Sequence, residues 1–345
     1  MMDPALDFVC DVLPEFSGQR LLVADEHLDS TLLLSLKTLP DLSLLTNRYD
    51  VYQSALNNNI PCIFNDMDIS AFNMQFDVIA YRVSKEKAVV HHIINQAPSC
   101  LAPKGALLLC GYKNEGIKTY ISKVEQYLGC KAQVSKGDRQ LKLAEFTVDS
   151  VGNPLDDRQY TDTASIGERR NLQLYSKPGQ YGWNKIDAGS ELLIDAFSDH
   201  VRIAGEPGSV LDLGCGYGYL SVMAWALGAR QIVATDNNAA AIASCQTNFD
   251  KHGINGEVTA DDCACDIHHQ YDVVLCNPPF HKGFDTERNL TEKFLRSACH
   301  HLKNNGVAFV VVNQFIPLET IAPSYFKSVE TVYRDKSFKV FKLSS

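Results

Sequence analysis

The chain has 345 residues, of which 45% are hydrophobic and 21% charged, and it carries a net charge of −9. One domain takes ~100–200 residues, so two are expected, with the composition of an ordinary soluble globular protein. Apolar runs such as VAFVVV (307–312) are far short of the ~20 residues of a membrane span, which excludes a transmembrane helix.

The amino terminus, MMDPALDFVCDVLPEF, has acids where a secretory leader has positive charge, so a cytoplasmic location is expected. The 11 cysteines include no CxxC and form no ladder with histidine. They read as reduced thiols in the core. The pairs His91-His92, His268-His269 and His300-His301 place adjacent side chains in different directions, so no metal site is expected.

In chain order, RLLVADEHLD (20–29) opens a worn copy of a plan that recurs later. FDVIAYRVSKEKAVVHHIINQAPSCLAPKGALLLCG (76–111) aligns with YDVVLCNPPFHKG through LKNNGVAFVVV (271–312). The offset is 195 residues at Asp77 and Asp272 and 201 at Gly105 and Gly306. DRQLKLAEF (138–146) likewise matches DKSFKVFKL (335–343), which implies a duplication. The polar stretch 150–171 has turn formers without apolar periodicity and reads as a linker. The expected organisation is a first domain over 1–150, a linker over 151–174 and a second domain over 175–345.

The second half alternates cleanly. SVLDLGCG (209–216) is a strand ending in glycines, and YGYLSVMAWALGA (217–229) is a buried helix. QIVATD (231–236) is a strand, 239–252 a small-residue helix, GEVTAD and YDVVLCN two further strands, 285–302 a helix, and VAFVVV a strand. Two short runs at the carboxyl terminus read as an antiparallel pair. Such βαβ alternation predicts an α/β fold with tandem doubly wound, Rossmann-like parallel sheets. The first copy has no glycine in its turn and has Tyr81-Arg82-Val83-Ser84 in place of Asn277-Pro278-Pro279-Phe280. It is expected to be degenerate, keeping the fold without the site.

In VLDLGCGYG, glycines follow the first strand of the second copy, where doubly wound sheets bind nucleotides. Asp212 stands two residues before Gly214 and is placed for an amino or positively charged group, which argues against a pyrophosphate. A second acid, Asp236, followed by Asn237, ends the next strand, where a carboxylate accepts both hydroxyls of a ribose. The pattern resembles the first motif of the class I S-adenosylmethionine-dependent methyltransferases. The resemblance implies S-adenosylmethionine as cofactor, with Gly214, Cys215 and Gly216 beneath its amino-acid portion, Asp236 on the ribose, and Asp262 or its neighbour Asp261 facing the adenine amine.

Asn277-Pro278-Pro279-Phe280 ends the fourth strand at the same edge. Two prolines alone merely stop a strand, but they leave Asn277 and Phe280 unexplained. An exocyclic NH2 has a delocalised lone pair. Acceptors at the Asn277 side chain and the Pro278 carbonyl can hold that nitrogen in line with an electrophilic methyl, while Phe280 stacks the planar substrate. The motif is shared by methyltransferases acting on adenine N6, guanine N2 and glutamine amides.

With PGQYGWNKIDAGSELLI (178–194) and RDKSFKVFK, it resembles the bacterial ribosomal RNA guanine-N2 methyltransferases, above all the small-subunit enzymes of the RsmC type. The resemblance covers essentially the whole chain and is stronger over 175–345. It implies methylation of a guanine N2 in small-subunit ribosomal RNA, with Asp187 and Gly189 as cofactor neighbours. The rivals are the large-subunit enzyme, a glutamine-amide protein methyltransferase and an inactive RNA-binding scaffold.

Net charge −9 opposes an RNA substrate. Residues 176–281 hold 5 Lys/Arg against 13 Asp/Glu, whereas 282–345 hold 10 against 6, so the carboxyl-terminal segment is basic. Lys282, Arg288, Lys336 and Lys339 are candidate phosphate contacts, and Pro279 and His281 candidate contacts to the base. The expected partner is ribosomal RNA, with no membrane and no metal, and the expected state a monomer.

Overall fold

The structure, a computed structural model, describes residues 3–25, 28, 30–279 and 284–344, with the side chains of 30, 31 and 284–288 outside the description. It divides into two compact units, 1–162 and 163–345.

The first unit runs α1 (Pro4–Val12), β1 (Arg20–Ala24), α2 (Ser30–Leu36), β2 (Leu42–Thr46), α3 (Tyr49–Asn57), β3 (Cys62–Phe64), β4 (Phe76–Arg82), α4 (Lys87–Cys100), β5 (Leu101–Tyr112), α5 (Ile117–Leu128), β6 (Gln133–Lys136) and β7 (Leu141–Thr147). The second runs β8 (Ala164–Arg169), β9 (Leu172–Ser176), α6 (Ala188–Ala204), β10 (Ser209–Leu213), α7 (Tyr219–Ala226), β11 (Gln231–Asp236), α8 (Ala239–His252), β12 (Glu257–Ala260), β13 (Tyr271–Cys276), α9 (Phe284–His300), β14 (Leu302–Asn313), α10 (Leu318–Ile321), β15 (Ser328–Arg334) and β16 (Phe338–Ser344).

The two large sheets have one topology, β3-β2-β1-β4-β5-β7-β6 and β12-β11-β10-β13-β14-β16-β15. The first five strands of each are parallel, and the last two add an antiparallel hairpin. The repeat read from the sequence is therefore structural. Its marker residues do the same work twice: Asp77 Oδ2 accepts from the backbone N–H of Gln19 at 2.7 Å, and Asp272 Oδ2 from that of Ser209 at 2.9 Å, fixing the start of each first strand. A Cβ at Gly105 would lie 3.1 Å from the Asp77 carbonyl, and one at Gly306 3.1 Å from that of Asp272.

In the second unit every residue of β10 is buried, as expected for a central strand covered on both faces. One apolar cluster joins α6, α7 and α8 to the sheet through Phe197, Met223 and Phe249; the other joins α9 and α10 through Leu295 and Leu318. The strand order reverses between β10 and β13, which makes the carboxyl ends of these neighbours the switch point where such sheets bind ligands.

The expected linker is corrected. Residues 164–176 form a hairpin, β8 paired with β9, in which Arg170 and Asn171 both have positive φ (50° and 63°), as a two-residue primed turn requires. Residues 151–162 are bound to the first unit instead: Tyr160 is 1% exposed and donates to Asp66 at 2.7 Å, and Asn95 donates to the Leu155 carbonyl at 2.9 Å. Single anchors and a two-stranded hairpin leave no apolar period to read. Among the described residues, no helix is long and apolar enough to cross a membrane.

Candidate active site

The glycine turn follows β10, with Gly214, Gly216 and Gly218 all at positive φ (79°, 53° and 87°). The backbone N–H groups of Gly214 and Cys215 both donate to the Thr235 carbonyl on β11 at 2.9 Å, which locks the turn to the neighbouring strand. The glycines have different tasks. A Cβ on Gly218 would lie 2.6 Å from Cys245 Sγ, so this glycine serves the packing of α7 against α8. Among the described residues, a Cβ on Gly216 would meet only Gln180 Oε1, at 3.8 Å; this is the face open to a ligand.

Asp212 departs from its expected role. It is 0% exposed, and its Oδ2 accepts from the N–H and the hydroxyl of Ser221 at 2.9 and 2.6 Å. Helix α7 begins after Gly218, which offers no side-chain cap, so the strand acid satisfies an otherwise orphaned N–H of the first turn. Burial pushes its carboxyl up to about 7, against the pull of the Ser221 hydrogen bonds. Asp212 anchors the turn through Oδ2, and its Oδ1 is buried without a hydrogen-bond partner among the described residues.

Asp236 stands where the sequence placed it. Its Oδ2 accepts from Gly216 N–H and its Oδ1 from Asn238 N–H, each at 2.9 Å, and the residue is half-buried beside the open glycine. Asn237 is half-buried next to it. Asn238 caps α8 and donates to the Gly179 carbonyl at 3.0 Å, which ties the loop before α6 over the turn. Gln180 makes the second tie, donating to Ser244 Oγ at 2.6 Å and to the Ala240 carbonyl at 3.3 Å. No sequence signal marked Gln180, because the two partners on α8 lie 60 and 64 positions away.

Of the two acids after β12, Asp261 is consumed: its oxygens accept from the N–H groups of Cys265 and Asp266 at 2.7 and 3.0 Å. Asp262 is partly exposed and ion-paired with Lys293 on α9, which leaves it the acid able to face a ligand.

At the end of β13, Asn277 Nδ2 donates to Asp187 Oδ2 and to Ser190 Oγ, both at 2.8 Å. A carboxylate only accepts, so the NH2 end of the amide must face Asp187 and the Asn277 Oδ1 faces away from it. Asp187 is the N-cap of α6, and its Oδ2 also accepts from Ser190 N–H at 2.8 Å. Asp187 thus sits on the asparagine, where the sequence placed it beside the cofactor. Gly189 is likewise explained by packing, since a Cβ there would lie 3.1 Å from the Phe338 ring. Ser190 was missed; its signal is the third position after a capping Asp.

Pro278 is buried and Pro279 exposed. Phe280, His281 and Lys282 lie outside the described residues, as does the side chain of Arg288 on α9. Lys336 is exposed in the turn between β15 and β16. Lys339 is a correction: it is 3% exposed, and its Nζ bonds the Ile316 carbonyl at 2.8 Å and both Glu319 oxygens at 3.0 and 2.9 Å. β16 lies between β14 and β15 and is buried on both faces over 339–341, so Lys339 holds a loop and offers no charge to a phosphate.

The chain is similar to known proteins over nearly its whole length. The chain matches the methyltransferase small domain over residues 171–342 and the N-terminal domain that accompanies it over 12–141. It is 27% identical to ribosomal RNA small subunit methyltransferase C of Vibrio parahaemolyticus over 336 residues, 95% of this chain and 94% of that one. The protein of that name from Haemophilus influenzae strain PittGG is 28% identical over 79% of this chain and 81% of its own. The T. thermophilus 16S rRNA N2 G1207 methyltransferase (RsmC), solved with AdoMet and guanosine, has the same fold: TM-score 0.84, 22% identity, 99% of this chain and 92% of that one. Both domains are matched, the two models together spanning residues 12–141 and 171–342, and the chain belongs to the methyltransferase small-domain family.

Proposed function

We propose that the chain methylates the exocyclic N2 amine of a guanine in small-subunit (16S) ribosomal RNA, with S-adenosylmethionine as donor. The observation that carries the reading is the clamped amide of Asn277, which presents a fixed acceptor beside the glycine turn. The second support is the name shared by relatives aligned over nearly the whole chain.

The residues fit the cofactor. Asp236 ends β11 beside the open face of Gly216, its two oxygens oriented by the Gly216 and Asn238 N–H groups, and Asp262 is partly exposed for an adenine amine. When bound, the cofactor supplies an electrophilic methyl on a sulfonium.

The protein's part is alignment and charge. Asn277 Oδ1 accepts one N–H of the guanine amine and the Pro278 carbonyl the other, so the nitrogen is held in place and the positive charge growing on it is stabilised. Phe280 is assigned the stacking face. Nothing in this scheme requires a metal ion or a covalent nucleophile. A guanine within a duplex must leave the stack to reach Asn277. We assign the work to a cytoplasmic monomer, with the first unit supporting folding or positioning RNA.

The test is transfer of labelled methyl to separated small and large ribosomal subunits from a strain lacking the gene, followed by nucleoside analysis. Label in N2-methylguanosine of the small subunit alone is the expected result. Label confined to the large subunit, or in protein, overturns it.

A further inference from the structure

We infer that Phe315 is a stacking platform for a base flanking the target guanine, on a single-stranded stretch of RNA whose phosphates meet Lys336 and Arg334. The inference rests on the RNA substrate proposed above and adds a binding surface to it.

Position comes first. Strands β13 and β14 are parallel and Cys276 pairs with Val310, so Asn277 stands level with Val311. Phe315 lies four residues further on, at most ~13 Å beyond Asn277 along the strand direction. It is on the carboxyl edge that carries the glycine turn and Asn277. The pairing of Asn313 with Phe338 brings the β15–β16 turn, with Lys336, to the same edge.

The second observation is that an apolar ring is held in water by a well-fixed loop. Phe315 is 81% exposed. An exposed phenyl forfeits the stabilisation of burial, and isolated cases on loose loops are ordinary. Here the chain is pinned on both sides of the ring. Gln314 N–H donates to the Ser337 carbonyl at 2.9 Å, Ile316 N–H to the Asn313 carbonyl at 3.0 Å, and the buried Lys339 bonds the Ile316 carbonyl and Glu319. Ile316 and Leu318 are buried at 7% and 0%. The same bonds that remove Lys339 from the phosphate contacts keep the Phe315 loop from folding its ring inward.

Chemistry then selects the occupant. A rigid aromatic face with exposed cations at the adjacent turn is the combination that binds unpaired nucleotides, stacking bases without reading their sequence. Arg334 is 59% exposed at its side chain although one Nη lies 3.7 Å from Glu319, and Lys336 is exposed. A target guanine drawn out of its stack leaves its neighbour with an uncovered face, which the Phe315 ring covers.

The experiment uses the full chain with Phe315→Ala, Phe315→Leu and Phe315→Trp. Binding of 16S ribosomal RNA in the presence of S-adenosylhomocysteine is measured alongside S-adenosylhomocysteine affinity, thermal midpoint and methyl transfer to small subunits. Phe315→Ala is expected to weaken RNA binding ~10–100-fold, Phe315→Leu to recover little of it and Phe315→Trp most, with cofactor affinity and midpoint unchanged. Unchanged RNA binding in Phe315→Ala, or full recovery by Phe315→Leu, overturns the inference while the methylation reading stands. Absence of transfer to small subunits by the unaltered chain overturns that reading, and this inference with it.

Discussion

Asp187 caps helix α6 and, through the same Oδ2, accepts from Asn277 at 2.8 Å. The first unit repeats the relationship: Asp3 caps α1, and its Oδ2 accepts from Arg82 Nη2 at 2.9 Å. Strand pairing gives Tyr81 the place of Cys276, which shifts the match read from the sequence at Tyr81 and Asn277 by one residue and puts Arg82 in the place of Asn277. It also pairs with Glu115 at 2.7 Å and is 4% exposed. The first copy has kept the capping acid and replaced what it holds, filling with a buried ion pair the place where the second copy presents an acceptor. This gives a physical meaning to the degenerate first domain expected from the sequence.

Asn277→Ala is expected to lower methyl transfer ~100–1000-fold in single-turnover measurements while S-adenosylhomocysteine affinity holds. Asp236→Ala should do the reverse. Equal loss of rate and affinity in Asn277→Ala would make the loop a structural support.

Asp187→Ala removes a helix cap and the acceptor that orients Asn277. A stability loss of about 1 kcal/mol is expected, with a fall in transfer rate and little change in cofactor affinity. Denaturant unfolding and equilibrium binding check both. A fall in cofactor affinity without one in rate would return Asp187 to the cofactor site.

Lys336→Ala and Lys339→Ala should separate cleanly. Lys336→Ala is expected to leave the thermal midpoint alone and to reduce the slope of log affinity for RNA against log salt by ~0.7. Lys339→Ala strands the Ile316 carbonyl and leaves Glu319 with Arg334 at 3.7 Å; it should cost about 2 kcal/mol, less than a fully buried pair because Glu319 is partly exposed. Equal midpoints for the two variants would restore Lys339 as a surface charge.

Asp212 predicts a pH dependence. Its folded pKa, about 7, is raised above the ordinary carboxylate value by burial, so the folded chain holds a proton that the unfolded chain releases. Its contribution to stability is full below ~4 and is lost as pH rises towards 7. Asp212→Asn removes this titration, so the midpoint of the unaltered chain should fall relative to that of the variant between pH 4 and 7. Parallel midpoints over that range would show that Asp212 keeps an ordinary pKa.

Much of the molecule was legible because it is written in local chemistry. Strand β11 and helix α8 fall at the residues read from the alternation, since apolar periodicity and Gly or Asn caps act within a few positions. The duplication was legible because Asp77 and Asp272, and Gly105 and Gly306, meet the same backbone constraint in two sheets of one topology. The roles of individual polar residues were less so. Asp212 and Asp236 are both acids at strand ends, and only the neighbours Ser221 and Gly216 divide them into a buried anchor and an acid beside the open turn.

By itself the sequence determined the fold class, the repeat, the glycine turn and the Asn277 motif, because each depends on residue type at short spacing. Only the tertiary structure decided that Asp187 and Ser190 hold Asn277, that Lys339 points inward and that residues 164–176 form a hairpin of the second unit. The side-chain partners are brought together from 20 to 90 positions apart by packing, and a charge or a carboxylate takes its role from what surrounds it in space.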